Sequence, residues 1–148
     1  MSGPPKLIAI NLDDHYANHV GHMADGTQFF LTTPFVPPSE GDPGQEFNAL
    51  FLFEKDGRFR EARIDALGPR ATLDEARSQA IYRQRIAELG NFTYGRIEVQ
   101  PFQFERFGVV FGLIPRPPLD EEDVWWVELE PGNYMAFCEP WDSGEYDT

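Results

Sequence analysis

The chain has 148 residues, of which 41% are hydrophobic and 14% aromatic, a composition that predicts one folded domain and excludes a disordered protein. The formal net charge of −13 argues against nonspecific nucleic-acid binding and against an anionic membrane surface, because both need clustered Lys and Arg. A single cysteine, Cys138, excludes an internal disulfide or a Cys-rich zinc site, and no apolar run has signal-peptide or membrane-spanning length, so we expect a cytoplasmic protein.

The first notable stretch is DDHYANHVGHMADG, residues 13–26, which contains all three histidines of the chain. On a helix, His15, His19 and His22 would share one face and could bind a metal ion. Gly21 and the turn at Asp25-Gly26 instead predict the first arm of a β-hairpin that continues into TQFFLTT. In a strand His15 and His19 share one face and His22 points to the other, so we predict no metal site.

The middle of the chain has the short, alternating apolar runs that are typical of strands. Two loops rich in proline and acidic residues, 34–46 and 115–123, connect these runs. A hairpin is expected where two of the runs flank Lys55-Asp56-Gly57. The predicted strands are Thr27–Thr33, Phe47–Glu54, Arg58–Asp65, Arg96–Pro101 and Phe104–Leu113.

One helix is predicted from Thr72 to Leu89, because Thr72 and Glu75 have the spacing of a capping box and Gly90 can end the helix in a left-handed conformation. Its apolar residues lie on two opposite sides, which suggests that both sides are covered: Leu73, Ala76, Ala80 and Ala87 on one, and Tyr82, Ile86 and Leu89 on the other. We therefore predict an α+β fold, a single domain over residues 1–148 with a mostly antiparallel sheet of about six strands and one main helix (72–89) packed on it.

A last hairpin is predicted from two strands, Val124–Glu130 and Tyr134–Glu139, joined by PGN. Trp125, Val127 and Leu129 should face the core, which leaves Trp126 on the face of the glutamates. Exposed aromatic residues among acidic ones favour a protein partner, although the helix or the tail could cover them and a homodimer could use them. The predicted partner-binding residues are Trp126, Tyr134, Trp141, Tyr146, Glu128 and Glu130.

Charge is distributed unevenly along the sequence. Residues 119–148 contain ten acidic residues and no basic one, whereas residues 55–85 contain eight basic and five acidic residues. We predict that the acidic C-terminal segment 139–148 docks, with Trp141 on a sheet edge and its acidic groups near Arg70, Arg77, Arg83 and Arg85. Deleting residues 141–148 should then reduce the free energy of unfolding by a few kcal/mol, on the order of burying one or two large side chains.

No motif for catalysis is present. None of the four serines lies in a nucleophile elbow, and there is neither a Walker A motif nor a glycine-rich dinucleotide fingerprint. The run 120–123 lacks the alternate spacing of a calcium loop. We predict no catalytic residue, cofactor or metal, and keep as an alternative a small-molecule-binding domain or enzyme whose site near His15 uses Asp13 and Asp14 as acid or base.

Four segments, DGTQFFLTTPF, EARIDALGPR, YGRIEVQPFQFERFGVVFGLIP and PWDSGEYDT, together resemble a family of small, uncharacterised bacterial proteins, some labelled formate hydrogenlyase regulatory protein. The resemblance implies a cytoplasmic regulatory role, exercised by binding a protein such as an activator. We expect a non-enzymatic regulatory or protein-interaction protein that acts through an acidic, aromatic surface. An immunity protein that neutralises a basic toxin is the more specific alternative.

Overall fold

The computed structural model describes residues 4–12, 17, 19–121, 123–132, 135–139, 141 and 144–145. They form one α-helix, α1 (Glu75–Ala87), one 3₁₀ turn (Arg70–Thr72) and thirteen strands. The strands are β1 (Ile8–Ile10), β2 (Val20–Met23), β3 (Gln28–Thr32), β4 (Phe35–Val36), β5 (Gln45–Phe53), β6 (Phe59–Gly68), β7 (Phe92–Tyr94), β8 (Ile97–Val99), β9 (Phe102–Arg106), β10 (Val109–Arg116), β11 (Trp126–Glu130), β12 (Ala136–Cys138) and β13 (Gly144–Glu145).

The larger sheet contains six antiparallel strands, with β5 in its middle. One edge of β5 pairs with β6, and the other pairs with β3 and β4 in one unbroken register, from Gln28 opposite Phe53 to Val36 opposite Gln45. Strand β2 pairs with β3 through the turn at Asp25-Gly26, which confirms the predicted first hairpin. Strand β7 pairs with the other side of β2 and forms an edge of the sheet.

A second antiparallel sheet has five strands in the order β13-β12-β11-β10-β9. A third, small sheet pairs β1 with β8. The buried amide of Gln28 connects the small sheet to the larger one, because it donates to Glu98 O at 2.8 Å and accepts from Glu98 N at 2.8 Å.

The main core lies between the six-stranded and five-stranded sheets and is built largely from phenylalanine. Phe47, Phe51 and Phe53 alternate along β5 and meet the rings of Phe102 and Phe111 from the five-stranded sheet, at centroid distances of 5.0 to 5.4 Å. Edge-to-face rings of this kind combine a large buried apolar area with favourable quadrupole geometry.

Helix α1 covers the opposite face of the six-stranded sheet. Tyr82, Ile86 and Leu89 pack there against Leu31, Leu50 and their neighbours in a second, smaller core. The other predicted apolar side of the helix, Ala76, Ala80 and Ala87, is exposed, so the helix is covered on one side only. Asp65 accepts two hydrogen bonds from Arg85, at 2.9 and 2.8 Å, which connect α1 to β6.

The predicted ends of the helix are partly correct. Gly90 has a φ of +68° and ends the helix as expected. The predicted start at Thr72 is wrong, because residues 70–72 form a separate 3₁₀ turn and the Asp74 side chain accepts from Arg77 N as the N-cap. Aspartate caps as well as threonine does, so the sequence offered two starts.

A mostly antiparallel fold with one helix is confirmed, but one sheet of about six strands is wrong, because the strands divide into three sheets. The predicted strand 104–113 is in fact two strands, β9 and β10, joined by a turn at Phe107 (φ +57°) and Gly108 (φ +70°). Phenylalanine is rare in this left-handed conformation, so the sequence contains little signal for the turn.

Within the part of the chain that the structure describes, no helix is long and apolar enough to span a membrane.

Candidate protein-interaction surface

The five-stranded sheet has one face in the main core and one face turned away from it. In β11, Val127 and Leu129 are fully buried, while Trp126, Glu128 and Glu130 alternate with them on the other side, which confirms the predicted alternation. We call that side the outer face. Its residues on the described strands are Gln103, Glu105, Val110, Gly112, Ile114, Arg116, Trp126, Glu128, Glu130, Ala136 and Cys138.

A cluster of polar side chains occupies the middle of the outer face. Arg116 donates from Nε to Glu128 Oε2 at 2.9 Å and from Nη2 to Glu130 Oε2 at 3.3 Å. The indole Nε1 of Trp126 donates to Glu128 Oε1 at 2.8 Å. Both oxygens of Glu128 are therefore engaged, and the ring of Trp126 has a defined orientation beside the carboxylates.

Arg116 is the residue of this cluster that sequence reasoning missed. It lies directly opposite Trp126 in the β10–β11 ladder, although nine residues separate the two in the chain. Arg116 lies two residues after Ile114, so the two side chains are on the same side of the strand. Arg116 is also the last basic residue of the sequence. Its partners depend on the register of the hairpin, which a nine-residue loop does not fix.

The two glutamates are electrostatically different. Burial raises the pKa of Glu130, and the neighbouring Glu128 carboxylate raises it further, more than Arg116 lowers it. Burial also acts to raise the pKa of Glu128, but the hydrogen bonds from Trp126 and Arg116 outweigh burial and lower it. Glu128 is thus the stable anion of the pair, and Glu130 is the group that takes up a proton first.

Beside this cluster the outer face contains a groove of about 280 Å³, which we call the outer groove. Its walls combine apolar side chains with one arginine, one glutamate and one amide, and its lining residues are Gln103, Val109, Val110, Ile114, Arg116, Glu130 and Pro131. Gly112 lies between Val110 and Ile114, and a Cβ there would meet Phe102 O at 2.0 Å. Only glycine allows β9 and β10 to approach this closely.

The outer face is exposed in part, at Gln103, Glu105, Val110 and Cys138, whereas Ile114 in its middle is 5% exposed. Helix α1, which could have covered Trp126, packs instead on the six-stranded sheet. Trp126 is half-buried, Val110 is 38% exposed, and the single cysteine, Cys138, is exposed directly opposite Trp126. The outer face therefore presents an aromatic ring, carboxylates and an apolar groove side by side.

Of the other predicted partner-binding residues, the structure describes Trp141. Trp141 is half-buried and packs against the main core, and its carbonyl oxygen accepts from Ala9 N at 2.8 Å. Trp141 thus connects the C-terminal segment to β1. Arg70 and Arg85 pair with Glu46 and Asp65. Tyr134 and Tyr146 lie outside the described residues, as do Asp142 and Asp147.

His19 and His22 lie on opposite sides of the sheet, as the strand periodicity predicts. His19 lies on the helix side of the sheet, where Nδ1 is 2.6 Å from the Tyr82 hydroxyl and burial lowers its pKa. His22 is 2.8 Å from Arg96 O through Nε2. Among the described residues no three His, Cys, Asp or Glu side chains are placed to hold a metal ion. His15, Asp13 and Asp14, the alternative acid–base site, lie outside those residues.

Comparison of this chain with protein-family models, with curated proteins and with solved structures finds no match.

Proposed function

We propose that this protein is a non-enzymatic, cytoplasmic interaction protein of regulatory type that binds a basic protein partner through the outer face. The observation that carries the proposal is a partly exposed sheet face on which Trp126 lies half-buried and donates to Glu128, with Glu130 on the same side of the strand. Tryptophan is the residue that most often dominates the free energy of protein association, and it does so where neighbouring groups hold it in place.

The net charge of the outer face indicates the sign of the partner's charge. Glu105, Glu128 and Glu130 are opposed there by one basic side chain among the described residues, Arg116, so three carboxylates and one guanidinium leave two negative charges. The acidic loop 117–125 joins β10 to β11 at the Arg116 end of the same hairpin. A net charge of −13 also speeds the approach of a basic protein by electrostatic steering.

The same charges disfavour a homodimer through this face, because two copies would bring like charges together. A transcriptional activator and a basic toxin both satisfy the requirement for a basic partner. They correspond to the regulatory and immunity forms of the proposal, and the identity of the partner distinguishes them.

Site-specific photocrosslinking in the native host tests the proposal. A crosslinking amino acid at Cys138, exposed on the outer face opposite Trp126 and outside the outer groove, should capture a basic protein, whereas the same amino acid at Ala80, on the exposed side of α1, should not. Trp126→Ala should abolish capture at Cys138, since removal of a central tryptophan weakens association by roughly 30-fold or more.

Two controls accompany this experiment. The melting temperature of Trp126→Ala shows whether the variant remains folded. Protection of Cys138 from a maleimide reagent in the unmodified protein reports occupancy of the outer face without any substitution. Equal capture from Cys138 and Ala80, or capture that survives Trp126→Ala, would contradict the proposal.

A further inference from the structure

The outer groove combines apolar walls with one carboxyl group. Val110, Ile114 and Pro131 line its apolar part, and Glu130, which lies opposite Gly112 between Val110 and Ile114, lines it together with Arg116. A long aliphatic side chain that ends in a cation matches this combination of groups, because its stem can contact the apolar walls while its head reaches the carboxylate.

The cluster of Arg116, Glu128 and Glu130 has one more negative charge than positive charge when both carboxyl groups are ionised, so it can bind one cation. Glu128 and Glu130 face each other and Arg116, and these are the charged groups of the described residues that meet there. When both carboxyl groups are ionised, one guanidinium balances one of them and one negative charge remains. Burial and the neighbouring Glu128 raise the pKa of Glu130, so a proton tends to supply that missing positive charge.

Building on the proposed function, we infer that the outer groove receives one lysine or arginine side chain of the partner, with its cationic head on Glu130 and its stem along Val110 and Ile114. With the cationic head beside the ionised Glu130, the two positive and two negative charges of the cluster are balanced. Glu128 accepts hydrogen bonds from Trp126 and Arg116 and so holds Arg116 beside Glu130; it acts as a positioning residue.

The indole N–H of Trp126 provides a direct readout, because it donates to Glu128 and so responds to changes in the cluster. The full chain, labelled with ¹⁵N-tryptophan, is titrated with blocked tripeptides that contain a central arginine, lysine or citrulline. The Trp126 signal is assigned from its absence in Trp126→Phe. We expect a saturable shift with arginine and lysine peptides and none with the neutral citrulline peptide.

Two variants with the same loss of charge locate the site. Glu130→Gln should weaken arginine-peptide binding by roughly tenfold or more, because it removes the carboxylate that meets the head. Glu105→Gln removes one charge from the same face outside the groove and should change binding by less than about twofold. Val110→Trp, which fills the groove and leaves Glu130 intact, should also abolish binding.

The outcomes separate the inference from the proposed function. Equal losses in Glu130→Gln and Glu105→Gln, unchanged binding in Val110→Trp, or a citrulline response equal to that of arginine would overturn the inference. If the partner is nevertheless captured at Cys138, the inference alone fails. If the peptides bind as expected but no basic protein is captured at Cys138, the proposed function fails.

Discussion

The two large sheets of this protein differ in how many of their faces are covered. In β5 of the six-stranded sheet, seven consecutive residues from Phe47 to Phe53 are buried, because the five-stranded sheet covers one face and α1 the other. In β11 of the five-stranded sheet, burial alternates from residue to residue. A sheet covered on both faces excludes charged side chains, whereas a sheet with one open face can hold a charged cluster beside the core.

This difference predicts where substitutions should affect stability and where they should affect the proposed binding. Substitutions in β5 should reduce the free energy of unfolding on either face. Substitutions in the five-stranded sheet should do so on the inner face, while those on the outer face should alter binding.

The largest expected effect is in β5. Phe51→Ala, on the five-stranded-sheet side, should lower the free energy of unfolding by about 3–5 kcal/mol, and Leu50→Ala, on the helix side, by about 2–5 kcal/mol. Both side chains are fully buried, so each variant creates a cavity. Urea denaturation measures both, and a cost below about 1 kcal/mol for Leu50→Ala would show that the helix side is not a true second core.

A smaller effect is expected when the same Val→Ala substitution is made on each face of the five-stranded sheet. Val127→Ala removes two methyl groups from a fully buried inner position and should cost about 2 kcal/mol. Val110→Ala makes the same change on the outer face, where the side chain is 38% exposed, and should cost less than about 1 kcal/mol. Thermal or urea denaturation measures both variants, and equal costs would mean that the outer face is covered in solution.

The smallest expected effect is the pH dependence of Glu130→Gln. The pKa of Glu130 is raised in the folded state, so the stability it contributes is present below the unfolded pKa of 4.5 and is lost as pH rises through the folded value. Glu130→Gln should therefore raise the melting temperature relative to the unmodified protein at pH 7, on the order of 2 °C. That difference should vanish below pH 4.5, where both side chains are neutral.

Melting curves at several pH values measure this difference directly. Glu105→Gln, exposed on the same face and outside the groove, is the control for the loss of one carboxylate. A melting-temperature difference for Glu130→Gln that is the same at pH 7 and below pH 4.5 would contradict the assignment of Glu130 as the group that takes up a proton first.

Much of the local structure could be predicted because it depends on neighbouring residues. The alternation in WVELE placed Trp126 with Glu128 and Glu130, and Gly90 marked the end of the helix. The turn at Phe107-Gly108 could not be predicted, because phenylalanine in a left-handed conformation is held there by its surroundings rather than by its own preference.

The candidate site was found in part for the same reason. Trp126, Glu128 and Glu130 follow from the period of one strand. Arg116 and the outer groove depend on the pairing of β10 with β11 and of β9 with β10, which brings together residues from three strands. Trp141 was predicted both as a partner-binding residue and as the residue that docks the C-terminal segment on a sheet edge, and it packs against the main core and accepts from Ala9 N.

The sequence by itself determined the antiparallel character of the fold, its single helix among the described residues, and the side of β11 on which each residue lies. These features follow from short-range periodicity and turn chemistry. Only the tertiary structure decided that the strands divide into three sheets, that α1 packs on the larger one, and that Arg116 joins Glu128 and Glu130. The physical reason is that sheet pairing and layer packing depend on which apolar faces, distant in the sequence, bury one another, and no local pattern specifies this.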